Sequence, residues 1–390
     1  MKAPLPVQGA AVLPVPELVI AHHAQSLFTP IKEWRTTQHV PPVLLLTGLQ
    51  GVGKRAMAYY IAQWLLCERS GMNRHKEHPA NSDSEEMSLF GSPAKESLPV
   101  TTYEMPTGDP RPCGECASCK KAFHGSWVDF EEIRAADDEE SLKIEQFRKL
   151  KSKQGFGAHE SDYKVILIPD ADRMTTQAAN SVLKLLEEPP LGWVFLLTAS
   201  DTSLLLPTLV SRCQTLRLKP FSTEALELLL AKAEEQVSPE RRRLAVAFAG
   251  GSWARAIEWT QEAAWKKRAE LLSFMQEPVS SVNTLLDWAA TDTPSFHRML
   301  DQLESFTMDL IRFSLEPNDA PPEKHPWHNS DAARALSVHA RAVIQKRKSR
   351  AGARTWWIAR AERIAKARQE ISLPLNRKLL AQDILLPWTD

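Results

Sequence analysis

The sequence predicts an α/β domain built on a parallel sheet, followed by two parts made of helices alone. Three observations carry this reading. An apolar run over residues 43–47, "VLLLT", leads straight into a glycine loop and then into apolar residues at helical spacing. Strand-like and helix-like segments then alternate as far as Pro220, the pattern of a parallel sheet with helices on both faces. Beyond Pro220 only helical spacing is found.

The elements follow in order. The N-terminal stretch "MKAPLPVQGAAVLPVPELVI" is apolar but broken by prolines, has one early lysine and lacks a cleavage pattern, so it reads as a leader strand or arm and not a signal peptide. After the strand at 43–47 and its glycine loop, "AMAYYIAQWLLC" is a helix. Residues 70–112 are polar and rich in Pro, Ser and Glu with no sustained period, which predicts a mobile insertion. "RPCGECASCKKAFHGSWVDF" is a compact cysteine-rich segment, and "SLKIEQFRKLKSKQGF" has helical spacing. "YKVILIPDADRM" is a second buried strand, and "TTQAANSVLKLLEEPP" is a helix running from a Thr cap to the stop at Pro189. "GWVFLLTAS", "LLPTLVSRC" and "QTLRLKP" are a third strand, a short helix and a fourth strand. "STEALELLLAKAEEQ" and "SPERRRLAVAFAGGSWARAIEWTQ" form a small helical part. From about Ala263 onward a larger helical part follows, broken by the proline-rich loop "EPNDAPPEKHPWHN". The predicted domains are 1–220, 221–262 and 263–390.

With 390 residues the chain can bury several cores, and its 48 Lys+Arg balance 48 Asp+Glu, which argues against a protein that coats DNA by general basicity. No apolar run approaches the length of a membrane span. Five cysteines in a chain of this size do not make a secreted disulfide scaffold, and three of them cluster, which points to a metal in a reducing compartment and predicts a cytoplasmic location.

Two motifs carry chemistry. "GLQGVGKR" meets the phosphate-loop pattern G-x-x-x-x-G-K-[ST] at Gly48, Gly53 and Lys54, but Arg55 stands where the hydroxyl belongs. In such a loop Gly51 and Gly53 permit the tight backbone, whose N–H groups cradle phosphate, and Lys54 reaches a phosphate oxygen. The missing hydroxyl normally holds magnesium, and a cation does not replace it. Nucleotide binding is left open and efficient hydrolysis is not expected. Cys113, Cys116 and Cys119 form C-x₂-C-x₂-C, a spacing that gathers thiolates round one small ion. Zinc requires a fourth ligand, for which Cys67 and His124 both remain open. Cys213 reads as a core thiol.

The phosphate-like loop, the cysteine cluster, "AANSVLKLLEEPP", "SRC" and the terminal "LNRKLLAQDIL" occur in this order, and together they resemble the clamp-loader subunits of bacterial DNA polymerase III, in the AAA+ superfamily. The resemblance runs from about His22 to Pro387. It implies an AAA+ P-loop NTPase-like domain with a zinc module, a helical lid at 221–262 and a helical C-terminal collar. It makes Cys67 the fourth zinc ligand beside Cys113, Cys116 and Cys119. It implies that Arg212 of "SRC" serves as an arginine finger in the ATP site of a neighbouring subunit. It also implies partners: the other clamp-loader subunits (gamma/tau and delta), the sliding clamp, and primed DNA through the assembled complex.

Departures from the active pattern accumulate. An active AAA+ ATPase ends its second strand in Asp-Glu, where this chain has Pro169 and Asp170; Asp170 and Asp172 read as solvated or capping acids. "GGSWARAI" is similar to the family's sensor-2 segment, but the arginine position falls on Ala254, and Arg255 lies one residue on. Lys184, on the helix the resemblance places near DNA, is either a phosphate contact or an ordinary surface lysine. The basic stretch "RAVIQKRKSRAGARTWWIARAERIAKARQE" reads as an assembly helix whose Trp356, Trp357 and Ile358 pack in an apolar seam. The expectation is a structural, non-hydrolysing clamp-loader subunit. An active gamma/tau-type ATPase is the alternative, and a zinc-bearing P-loop protein of unrelated function is the third reading.

Overall fold

The computed structural model describes residues 17–72, 111–135, 141–151, 157–234, 236–317, 321, 324–370 and 376–389. The expected insertion at 70–112 lies almost wholly outside the described residues. The chain divides into two compact units, Met1–Thr260 and Gln261–Asp390.

In the first unit, β1 (Val43–Thr47), β2 (Phe130–Glu132), β3 (Lys164–Ile168), β4 (Trp193–Ala199) and β5 (Gln214–Arg217) form one sheet in the order β2-β3-β4-β1-β5, with every pairing parallel. Leu45 of β1 lies opposite Leu197 of β4 and Thr215 of β5. Successive side chains of a strand point to opposite faces, so Leu44 and Leu46 join one core and Val43 and Leu45 the other. Burial on both faces explains the unbroken apolar runs of β1 and β4. β1 therefore stands between its two partners at the point where the strand order reverses, and the loop leaving it opens into the crevice at the strands' C-terminal ends.

Of the stretch expected to be a leader strand or arm, residues 1–16 lie outside the described residues, and residues 17–20 instead open helix α1 (Glu17–Thr37), which carries Pro30 within it. Its Leu27, Ile31 and Trp34 are buried in the core beneath β1. α2 (Lys54–Leu66) starts at the glycine loop, and α3 (Ala117–Phe123) lies within the cysteine segment. α4 (Ile144–Lys151) precedes β3. α5 (Thr176–Glu187) begins at Thr175, whose side chain accepts from the Ala178 N–H at 3.2 Å, and ends just before Pro189. α6 (Pro207–Val210) is the short helix before β5. β2 is absent from the sequence reading. Three residues, two of them glutamates, give no strand signal, and only pairing with β3 makes them one.

α7 (Thr223–Ala233), α8 (Pro239–Ala249) and α9 (Trp253–Thr260) complete this unit, the first two capped by Ser222 and Ser238. Leu226, Leu230, Val246 and Ala256 from these helices share the core that holds α1.

The second unit is helical: α10 (Glu262–Gln276), α11 (Pro278–Thr291), α12 (Thr293–Ser314), α13 (Ala333–Lys346), α14 (Arg350–Glu370) and α15 (Arg377–Leu385). Phe274, Phe296, Phe306 and Trp357 fill its core. Arg268 is buried here, paired with Asp331 at 2.6 Å, donating to Asn329 Oδ1 at 2.9 Å, and lying 4.8 Å from the Phe306 ring centre. Of the predicted seam on α14, Trp356 and Trp357 are buried, but Ile358 is 39% exposed. One further step of about 100° round the helix carries it off the packed side.

Candidate functional site

The glycine loop sits where β1 hands over to α2. Gly48, Gly51 and Gly53 all have positive φ, and Gly53 ends the loop in the left-handed region as the residue before α2. The loop is walled by its own chain. A Cβ on Gly48 would come within 2.5 Å of the Leu218 carbonyl oxygen, and one on Gly51 within 2.8 Å of the Ala254 Cβ. One on Gly53 would lie 2.9 Å from Val19 of α1. The Ala254 N–H donates to the Gly51 carbonyl at 3.2 Å, so the segment opening α9 is fastened to the loop. His23 of α1 donates through Nε2 to the Val52 carbonyl at 2.8 Å; burial lowers its pKa to about 4.

Lys54 is buried and turned inward. Its ammonium donates to the carbonyls of Gly48 at 2.9 Å and Leu49 at 3.1 Å, and to Ser200 Oγ at 2.8 Å. An ammonium has three donors, and these three acceptors match them. Burial pulls its pKa below the ordinary lysine value, opposed by the fields of Asp170 and Asp172.

Arg55 forms an ion pair with Glu132, the last residue of β2. The same buried carboxylate takes Arg134 as a second ion pair and accepts the Tyr59 hydroxyl at 2.5 Å. Desolvation raises the Tyr59 pKa, and the neighbouring carboxylate adds to that. Pro169 follows β3 and is buried. Asp170 is exposed with φ 49°, and Asp172 Oδ2 accepts the N–H groups of Ser200 and Asp201 at 2.7 and 2.9 Å. Asp172 is thus a capping acid that ties the end of β3 to the end of β4.

The cysteine segment folds back on the end of α2. The sulfurs of Cys67, Cys113, Cys116 and Cys119 all lie within 4.8 Å of one another; His124, at the exposed C-terminal end of α3, is not part of this group. A tetrahedron with zinc–sulfur bonds of about 2.3 Å needs sulfurs about 3.8 Å apart, and two of the pairs stand at 4.0 Å. Backbone N–H groups of Cys113, Cys116 and Cys119 point at the sulfurs of Cys67, Cys113 and Cys116 at 3.3, 3.3 and 3.4 Å, an arrangement that favours thiolates. The Cys119 thiol, hydrogen-bonded to the Cys67 sulfur, draws the Cys67 pKa down to about 5. Four cysteines leave no open position for substrate, so such a centre is structural.

Arg212 lies just after α6, partly exposed. Its Nη2 is 2.6 Å from Glu187 Oε1 and its Nη1 donates to the Thr208 carbonyl at 2.6 Å. Cys213 beside it is half-buried, packed on the core beneath α5 and α6, and burial pushes its thiol up to about 12. Lys184 is exposed on α5.

Comparison with known proteins bears on this arrangement. A family model described as "DNA polymerase III, delta subunit" matches residues 100–222, the stretch from the cysteine cluster through Arg212. Over 351 residues the chain is 26% identical to DNA polymerase III subunit delta' of Pseudomonas aeruginosa, spanning 88% of this chain and 90% of that one. The chain is a relative of the delta-prime subunits. The tau subunit of Salmonella typhimurium is 29% identical over 223 residues, but that match spans 56% of this delta-prime relative and only 28% of tau. A solved gamma-subunit-related protein of Thermotoga maritima aligns over 92% of this chain and 98% of its own at 18% identity, with a TM-score of 0.40. Among the described residues of the delta-prime relative, no helix is long and apolar enough to cross a membrane.

Proposed function

We propose that the chain is a delta-prime-type subunit of the DNA polymerase III clamp loader, one that does not hydrolyse ATP itself and helps open the sliding clamp and load it on primed DNA. The observation that carries the first half is the glycine loop. All three Lys54 donors are satisfied within the chain, and the magnesium-binding hydroxyl is replaced by an arginine committed to Glu132. A nucleotide would have to break those bonds and would find neither the hydroxyl nor the strand-end carboxylate that organises magnesium. The match to delta-prime subunits along most of the chain supports the second half, and with it the gamma/tau and delta subunits as partners.

Three parts belong to the same proposal. Cys67, Cys113, Cys116 and Cys119 hold one zinc ion, which fastens the cysteine segment to the end of α2. Residues 1–220, 221–262 and 263–390 act as AAA+ core, lid and collar. Arg212 is an arginine finger supplied to the neighbouring subunit, a role that suits a residue at the protein surface with a planar, permanently charged fork.

The test is reconstitution. The chain should co-assemble with the gamma/tau and delta subunits in gel filtration, and the isolated chain should show no magnesium-dependent ATP turnover. Turnover that Lys54→Ala abolishes would overturn the non-hydrolysing reading and favour a gamma/tau-type ATPase.

A further inference from the structure

The arginine proposed to act on a neighbouring subunit does not hang free in its own. Glu187 Oε1 stands 2.6 Å from Nη2, and the Thr208 carbonyl accepts from Nη1 at 2.6 Å, with Ser211 Oγ at 3.4 Å from the same nitrogen. The two close holds come from separate helices. Glu187 is the last residue of α5, and Thr208 lies in α6. Leu185 and Leu186 of α5 and Leu209 of α6 are buried in one core, so both anchors are fixed to the same packed layer.

We propose that Glu187 is a positioning residue for Arg212: with the Thr208 carbonyl it sets the guanidinium plane, so that the remaining N–H groups face the phosphate of a nucleotide held by the adjoining subunit. This rests on the reading of Arg212 as a finger in trans. A guanidinium carries five N–H donors in a rigid fork, and those not used by Glu187, Thr208 and Ser211 remain for phosphate oxygens. A long, flexible side chain loses much rotamer freedom when it engages a ligand, and a finger oriented in advance loses less at that moment. The alternative role, a carboxylate that holds the arginine away from phosphate, fits the geometry poorly. The pair is open to water, with side chains 35% and 43% exposed. Such a pair is too weak to withhold a guanidinium from a magnesium triphosphate, yet it suffices to select one orientation among several.

The same exposure makes the test clean, because removing an exposed carboxylate leaves folding almost untouched. The measurement is single-turnover ATP hydrolysis by the reconstituted complex, with the other ATPase subunits inactivated at their phosphate-loop lysines so that only the adjoining site is read. Gel filtration confirms assembly for each variant. Arg212→Ala should slow that site by roughly 10³–10⁵-fold. Glu187→Ala should slow it by about 10–100-fold in kcat with little change in KM for ATP, the cost of a misplaced group. Glu187→Gln keeps an acceptor for Nη2 and should restore most of the rate. Glu188→Ala, the same charge change one residue on, should leave the rate unchanged. On the Arg212→Ala background, Glu187→Ala should add nothing, because it acts through the arginine. A normal rate with Glu187→Ala, beside a slow Arg212→Ala, would overturn the positioning role and keep the finger. A faster rate with Glu187→Ala would show the carboxylate holding the arginine back, and overturn it as well. A normal rate with Arg212→Ala would remove the finger reading itself.

Discussion

Glu132 places one buried carboxylate against two arginines and a tyrosine. The partners differ in what they lose. Without Arg55 the carboxylate keeps Arg134 and Tyr59; without the carboxylate both arginines face each other unneutralised. Glu132→Ala should therefore cost more stability than Arg55→Ala. About 2–4 kcal/mol is expected, toward the lower end of the range for buried pairs because both arginines keep partial access to water. Urea unfolding of the two variants checks the order. His339 gives a pH effect. Burial holds its pKa at about 4, with Nδ1 donating to the Met275 carbonyl and Arg360 adding a like charge nearby. The unfolded chain binds this proton near the ordinary value of about 6.5. The histidine's contribution is thus complete above about 6.5, falls as pH drops toward 4, and is level below that. The unfolding free energy of His339→Phe should depend less steeply on pH between 6.5 and 4.5 than that of the parent chain. Neither Glu132's partners nor His339's burial was legible in the sequence: Arg55 and Glu132 meet only because β2 lies at the sheet edge beyond β3, a pairing between distant segments that no local spacing encodes.

At the scale of elements the sequence spoke clearly wherever one signal filled a whole segment. β1, β3 and β4 are mostly apolar and buried along their whole length, and α5 runs from a Thr cap to a double proline, so these are readable from residues alone. α1 is hidden in the sequence because prolines precede it and Pro30 lies inside it, and its burial in the core beneath the sheet outweighs them. The three clustered cysteines were equally plain. Cys67 was reached only through family likeness, and the fold is what brings it beside the others. This element carries a prediction. Freshly purified protein should contain about one zinc per chain. Cys67→Ser should lose metal while His124→Ala retains it. Chelation should expose residues 111–125 to proteolysis, since the four sulfurs fasten this segment to the end of α2. Less than about half a zinc per chain without chelator would remove the centre.

For the whole molecule, the helical second unit has a core of its own, separate from the two that flank the sheet, which implies that it can fold separately. Residues 261–390 expressed alone should give a helical circular-dichroism spectrum and cooperative thermal unfolding, because Phe274, Phe296, Phe306, Trp357 and the Arg268–Asp331 pair are all internal to that unit. A molten, non-cooperative fragment would refute it. The first unit behaves differently around its glycine loop. Gly51 is gripped by the segment opening α9, Gly48 abuts the residue after β5, and Gly53 abuts α1. Gly51→Ala meets both a positive φ and a blocked Cβ, so it should loosen α9 from the loop. Hydrogen exchange would show this as lost protection over residues 252–260, with the sheet unaffected. The loop is a keystone: three stretches of the chain lean on it, so a disturbance at any one of its glycines is felt at α1, at the end of β5 and at the start of α9 together.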